Sequence, residues 1–243
     1  MASPDALARV RIVLSHTSHP GNIGAAARAM KTMGLARLYL VRPRVFPHED
    51  ASAFAAGAGD VLETAVMCET LEQALAGTVL AVASTARRRE LSHETVGCRE
   101  ACHRMLAGAQ AGGEVALVFG PERTGLTTRE VSRCGLLATI PTGAHYASLN
   151  LAQAVQVFAY ELHMAAREDR YEGAGSAALA PHEQVEALHR ELERTLHMTG
   201  FLNPARPGRM MQRLRRLFAR ARLERQEVNI LRGLLRAIRQ KVE

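Results

Sequence analysis

Two textures alternate along the first 168 residues. Short runs of aliphatic and β-branched residues stand at Val10–Leu14, Leu38–Val41, Val79–Ala83 and Val115–Phe119, with a weaker run at Leu136–Ile140. Between them lie Ala- and Leu-rich stretches with helical spacing at Ile23–Met33, Leu71–Ala76, about Arg99–Leu106, and Leu149–Ala166. Strands alternating with helices in this way predict an α/β fold with a mostly parallel sheet covered on both faces. Pro20 and Asn22 fit a helix start and Gly34 a helix stop. In the long apolar stretch from Ser148, residues Leu151, Val155, Phe158 and Leu162 share one face, which predicts burial against the sheet or a partner subunit.

The alternation dissolves around Glu172-Gly173-Ala174-Gly175-Ser176-Ala177, a small-residue run that reads as a linker. Pro181 then opens an all-helical region, with helices expected over about 182–199, 207–221 and 224–240 and breaks at Gly200–Pro204 and Pro207-Gly208. The predicted organisation is a 1–168 α/β domain, a 169–180 linker and a small 181–243 helical domain. Sixty residues of helix form a marginal core alone, so this module should lean on the main domain or on a second subunit.

Charge sharpens the division. Residues 1–180 hold 17 basic and 17 acidic side chains, whereas residues 181–243 hold 14 basic and 7 acidic, so the net +7 resides entirely in the last quarter. On the expected second helix of that region, Arg209, Arg213, Arg216 and Arg220 recur at three- and four-residue steps as one stripe, with Met210, Leu214 and Leu217 opposite as expected core. An arginine stripe suits sugar–phosphate contacts, nucleic acid before membrane. Only Phe201 and Phe218 are aromatic after Tyr171, so base stacking should not dominate. No apolar run approaches the ~20 residues of a membrane helix. No signal peptide is read, and four scattered cysteines suggest reduced thiols in a cytoplasmic protein.

Three polar turns beside strand-like runs carry the candidate chemistry: Pro20-Gly21-Asn22-Ile23-Gly24 running to Arg28, Phe119-Gly120-Pro121-Glu122-Arg123-Thr124-Gly125-Leu126, and Tyr146-Ala147-Ser148-Leu149-Asn150-Leu151. The second has the glycine spacing of a P-loop but places Leu126 where the phosphate-binding lysine belongs, so NTP hydrolysis is disfavoured. No G-x-G-x-x-G follows the first strand, which disfavours a dinucleotide site. Cys98, Cys102 and His103 lack a second ligand pair and sit in an expected helix, so no metal site is predicted.

In this order the three segments resemble motifs 1, 2 and 3 of the SPOUT (α/β-knot) RNA methyltransferases, in the branch that methylates ribose 2′-hydroxyls. The chain from Thr199-Gly200-Phe201 through Asn229-Ile230-Leu231-Arg232-Gly233 is similar to the tRNA (cytidine/uridine-2′-O-)-methyltransferases of that branch. The resemblance implies a trefoil knot, a homodimer, S-adenosyl-L-methionine as cofactor and tRNA as substrate. It implies methylation of the pyrimidine ribose that opens the anticodon loop. A ribosomal RNA ribose and a non-catalytic RNA-binding knot protein are the alternatives.

Carried onto this chain, the resemblance makes Arg28 the catalytic arginine, with Asn22, Glu122, Ser148 and Asn150 completing the site. An arginine does not readily act as a base, so its expected role is to stabilise developing alkoxide charge and grip a phosphate. Asn22 is also expected to cap its helix, and Glu122 to shape the site by holding Arg28 or to pair with Arg123 or Arg129. The implied cofactor loops are Ser84-Thr85-Ala86, Gly120, and Ile140 with Ala147, Ser148 and Leu149. Arg87 and Arg88, together with Arg89, could line the RNA path next to the first of these. His16 and His19, close to motif 1, are further candidates for substrate contact.

Overall fold

The structure, a computed structural model, describes residues 6–86, 94–143, 148–167, 179–203 and 209–242. After a single 3-10 turn at Leu7–Arg9, the chain forms β1 (Val10–Ser15), α1 (Pro20–Thr32), β2 (Arg37–Val41), α2 (Glu49–Ala55), α3 (Gly59–Glu63), β3 (Val66–Cys68), α4 (Leu71–Leu75) and β4 (Thr78–Ser84). It continues through β5 (Thr95–Gly97), α5 (Cys98–Gln110), β6 (Glu114–Phe119), α6 (Thr128–Val131), β7 (Leu136–Thr139) and α7 (Leu151–Arg167). The carboxyl-terminal helices are α8 (His182–Met198), α9 (Met210–Ala221) and α10 (Arg225–Val242).

The seven strands form one sheet in the order β3-β2-β1-β6-β4-β7-β5, and every pairing is parallel. Such a sheet is buried on both faces, and successive side chains divide between them. Ile12, Leu14, Leu117 and Phe119 face one layer with Ile23, Met30, Met105 and Phe158 from α1, α5 and α7. Val13, Ala116 and Val118 face the other with Leu71, Leu75 and Val131. Phe158 meets Phe119 edge to face with ring centroids 5.7 Å apart, which fixes α7 over the end of β6. The predicted face Leu151, Val155, Phe158 and Leu162 of α7 is accordingly buried.

Helix α1 starts at Pro20 with His19 as its N-cap, so Asn22 is the third helical residue and not the cap expected from the sequence. Proline is pre-organised for a first helical position. Its early placement leaves the Asn22 side chain available for another task. Gly24, one turn in, permits α2 to lie directly on α1, because a Cβ there would stand 2.0 Å from the Ala51 carbonyl oxygen.

The carboxyl-terminal helices are docked on the sheet domain. Glu183 accepts from the Gly77 N–H at 2.7 Å. The buried Glu186 of α8 gathers Arg133 from the loop after α6 (2.5 Å), Arg215 from α9 (3.0 Å to Nη2) and His189 from α8 (3.4 Å). Burial alone would raise the Glu186 carboxyl, but the His189 and Arg215 hydrogen bonds outweigh it and hold it far below the usual carboxylate range. A small second core of Ala180, Leu188, Leu223, Val228 and Leu235 lies within this unit. Leu179 and Ala180, at the end of the expected linker, pair with Glu224 and Leu223; the rest of that linker, 169–178, lies outside the described residues.

Helix α9 is rotated from the sequence expectation. Leu217 is exposed, and Met210 and Leu214 are only half-buried. Arg215, Phe218 and Ala219 turn inward instead, toward α8 and β4. The paired carboxylate of Glu186 makes the inward Arg215 tolerable there.

Candidate active site

At the carboxyl ends of β4, β6 and β7 a cavity opens, lined by Ser84, Thr85, Ala86, Gly120, Ile140, Ser148 and Leu149 among others. Seven of the eight residues expected around the cofactor therefore stand on one cavity wall; Ala147 lies outside the described residues, as do Arg87 and Arg88. Parallel strands deliver this grouping, because loops distant in sequence leave adjacent strand ends together.

The loop after β6 is the tightest part of the wall. Gly125 takes a left-handed conformation (φ +64°) and its N–H donates to the Pro121 carbonyl at 2.8 Å. The loop folds back on Gly120 so closely that a Cβ there would stand 2.2 Å from the Leu126 nitrogen. The absent side chain keeps that section of wall open at backbone level. Thr127 then caps α6 in a reciprocal arrangement with Glu130.

Three sequence-distant segments are wired together at the rim. Asn150 donates from Nδ2 to Asn22 Oδ1 at 3.0 Å. Asn22 donates from Nδ2 to Glu122 Oε1 at 2.8 Å. The Glu122 carboxylate also accepts the backbone N–H groups of Ser18 (2.9 Å) and His19 (3.2 Å), just before α1. Burial acts to raise the Glu122 pKa, but the hydrogen bonds from Asn22, Ser18 and His19 outweigh it and keep the carboxylate below its ordinary range. Glu122 is thus occupied with the start of α1 and does not hold Arg28, nor does it pair with Arg123 or Arg129.

Asn150 also caps α7, its Oδ1 accepting from the Ala152 N–H at 2.9 Å. The helix proper begins at Leu151, leaving Ser148 and Leu149 in the loop before it. Arg28 is exposed on α1, off the cavity wall, and without a hydrogen bond or ion pair among the described residues. Its guanidinium is open to solvent. Arg209, just before α9, and Arg213 and Arg220 on it are exposed, and Arg216 is half-buried.

A contact absent from the sequence reading lies one strand over. Glu130 accepts from Ser15 Oγ at 2.6 Å and, through its other oxygen, from the Thr127 N–H at 2.7 Å. It therefore ties the end of β1 to the loop after β6. Burial favours a raised Glu130 pKa, yet the Ser15 and Thr127 hydrogen bonds lower it overall. A serine and a glutamate 115 residues apart give no local signal of such a contact.

All four cysteines are buried as free thiols. Cys98 and Cys102 lie on α5, with burial raising both thiol pKa values, and Cys134 is pushed up to about 12 by burial. Among the described residues no group of three or more His, Cys, Asp or Glu side chains is placed to hold a metal ion, and no helix is long and apolar enough to cross a membrane.

Residues 9–160 match the SpoU rRNA methylase family, and residues 183–243 match the C-terminal domain of the tRNA methyltransferase TrmJ. The tRNA (cytidine/uridine-2′-O-)-methyltransferase TrmJ of Klebsiella pneumoniae is 49% identical over 240 residues, covering 97% of this chain and 98% of the relative. The tRNA (cytidine/uridine/adenosine-2′-O-)-methyltransferase TrmJ of Pseudomonas aeruginosa is 45% identical over 239 residues, covering 94% and 93%. The crystal structure of TrmJ from Z. mobilis superposes with a TM-score of 0.82 at 33% identity, covering 94% of this chain and 98% of that one. With both halves matched and relatives aligned along nearly its whole length, the chain belongs to the SpoU methylase family, in the TrmJ branch.

Proposed function

We propose that the chain transfers a methyl group from S-adenosyl-L-methionine to the 2′-hydroxyl of a cytidine or uridine ribose in tRNA, at the nucleotide that opens the anticodon loop. The observation that carries this reading is the hydrogen-bonded series Asn150–Asn22–Glu122, which unites the three motif segments at the rim of one cavity. The names of full-length relatives at 45–49% identity support the tRNA substrate and the ribose chemistry.

The residues present fit the cofactor. Gly120 leaves backbone exposed where any side chain would collide with the loop, and Ser84, Thr85, Ala86, Ile140, Ser148 and Leu149, with Ala147, would hold it largely through main-chain groups. Bound there, the cofactor supplies an activated methyl on a sulfonium, so the protein's task is alignment of the acceptor oxygen. Asn22 and Asn150 hold the loops that set this alignment. Arg28 stabilises charge as the 2′-oxygen loses its proton and grips the adjoining phosphate. Its distance from the cavity wall fits a homodimer in which each site is completed by the facing subunit.

The trefoil knot, the division at the 169–180 linker and a cytoplasmic location belong to the same reading. Arg209, Arg213, Arg216 and Arg220, with Arg87 and Arg88, would track tRNA phosphates, so binding should weaken steeply with salt. Transfer of labelled methyl from S-adenosyl-L-methionine to unmodified tRNA, with ribosomal RNA in parallel, tests the reading. Label in ribosomal RNA alone would move the chain to the sister substrate class. Absence of cofactor binding would leave an RNA-binding protein.

A further inference from the structure

A second cavity, of about 350 Å³, lies on the far side of the loop after β6 and shares Pro121 with the first. It is large enough for a small ligand. It stands at the carboxyl ends of β1 and β2, where β1 separates the β2–β3 side of the sheet from the β6 side. Open α/β sheets bind ligands at such reversals of strand order.

Two non-glycine residues on its wall, His16 (φ +52°) and Arg42 (φ +43°), are held in the left-handed region directly after β1 and β2. The His16 N–H donates to Val41 at 2.8 Å, locking the two turns together. Backbone of this kind is strained for a residue with a side chain and concentrates at ligand sites.

The His16 ring is oriented by a relay. Ser15 spends its one hydroxyl proton on Glu130 at 2.6 Å, so the 2.9 Å contact between Ser15 Oγ and His16 Nδ1 requires the proton on Nδ1. In the neutral ring Nε2 is then an acceptor, on a side chain that is 53% exposed. The same wall carries Thr70, Thr127, Arg42 and Arg129, with the carboxylates of Glu69, Glu72 and Glu130 beside them. Among the described residues the Arg42 guanidinium has a loose ion pair with Glu69 at 3.9 Å and the Arg129 guanidinium has no hydrogen bond or ion pair. Guanidinium groups beside an oriented acceptor match a phosphate joined to a sugar hydroxyl or base N–H.

We propose that this cavity is a ribonucleotide site that seats a nucleotide of the RNA substrate flanking the one that is methylated, with phosphate toward Arg42 and Arg129 and a hydroxyl or base N–H on His16 Nε2. The inference rests on the RNA-methyltransferase reading above, and a free nucleotide presents the same chemistry. The test titrates the full-length protein with unmodified tRNA and with uridine 5′-monophosphate, comparing wild type, His16→Asn, which tolerates the left-handed turn, and Arg129→Ala on the surface. S-adenosyl-L-methionine affinity is the control for the first cavity.

Both variants should bind tRNA about 5- to 30-fold more weakly, the loss expected for one or two polar contacts, with cofactor affinity within twofold of wild type. Unchanged tRNA binding in both variants, with wild-type methyl transfer intact, overturns the site alone. Micromolar mononucleotide binding that both variants lose, with tRNA affinity unchanged, overturns the RNA assignment in favour of a free nucleotide. Weakened tRNA binding in both variants, without methyl transfer by wild type, supports the site and sinks the methyltransferase reading.

Discussion

Asn150, at the start of α7, donates to Asn22 on α1 at 3.0 Å, and through Asn22 both are tied to Glu122 in the loop after β6. The carboxylate takes three donors: Asn22 Nδ2, the Ser18 N–H and the His19 N–H. A glutamine at 122 keeps one accepting oxygen and turns an NH2 toward a donor. Glu122→Gln should therefore lose about 1–3 kcal/mol of stability, read as a lower urea midpoint at unchanged slope. A midpoint equal to wild type would show that the three segments are held by other contacts.

Acid should destabilise the protein in two stages. Burial lowers the pKa of His182 and His189 from 6.5, so the unfolded chain binds more protons than the folded one once pH drops below that value. For Glu114, Glu122, Glu130 and Glu186, burial acts upward but hydrogen bonds and cations prevail, and all four are held below 4.5. Their stabilisation is complete above 4.5 and is lost as pH falls through the lower folded values. The thermal midpoint should decline below about pH 6.5 and more steeply below about pH 4.5. A midpoint that holds level from pH 7 to pH 4 would contradict these directions.

Glu186 joins α8 and α9 to the sheet domain through Arg133, Arg215 and His189. Glu186→Ala leaves Arg215 without its carboxylate in a buried site and Arg133 with Glu72 alone among the described residues, a change that costs about 3–5 kcal/mol. Limited proteolysis should then release the carboxyl-terminal helices before the α/β domain is cut. Coincident digestion of both parts, at the wild-type rate, would show that Glu186 does not hold them.

Gly120→Ala tests the closeness of the cavity wall. A Cβ at 120 meets the Leu126 nitrogen at 2.2 Å and the Gly125 carbonyl carbon at 2.4 Å, both backbone, whereas one at Gly143 meets nothing within 4 Å. Gly120→Ala should cost more than about 2 kcal/mol and abolish S-adenosyl-L-methionine binding by calorimetry. Gly143→Ala should change neither measurement appreciably. Full cofactor affinity in Gly120→Ala would place the cofactor elsewhere.

The central strands were legible because β1, β2, β4 and β6 are apolar runs that the sheet buries on both faces. The edge strands β3 and β5 escaped notice: each has three residues, and Val66 and Met67 are exposed. Asn22 shows a second limit, since its sequence position fits a cap but its partners come from segments 100 and 128 residues away. Arg215 shows a third, because an arginine paired inward reads in sequence like any surface arginine. The motif segments could be recognised by resemblance, but their contact at one rim is a property of strand order, which local pattern does not encode.

Methyl transfer to a tRNA ribose is tested with labelled S-adenosyl-L-methionine, unmodified tRNA and mapping by alkali. A 2′-O-methyl group removes the hydroxyl that alkali needs, so the modified linkage survives as a labelled dinucleotide. Wild type should protect the linkage after the pyrimidine that opens the anticodon loop. Arg28→Ala should bind cofactor normally and protect nothing. Label on a base, with every linkage cleaved, would rule out ribose methylation.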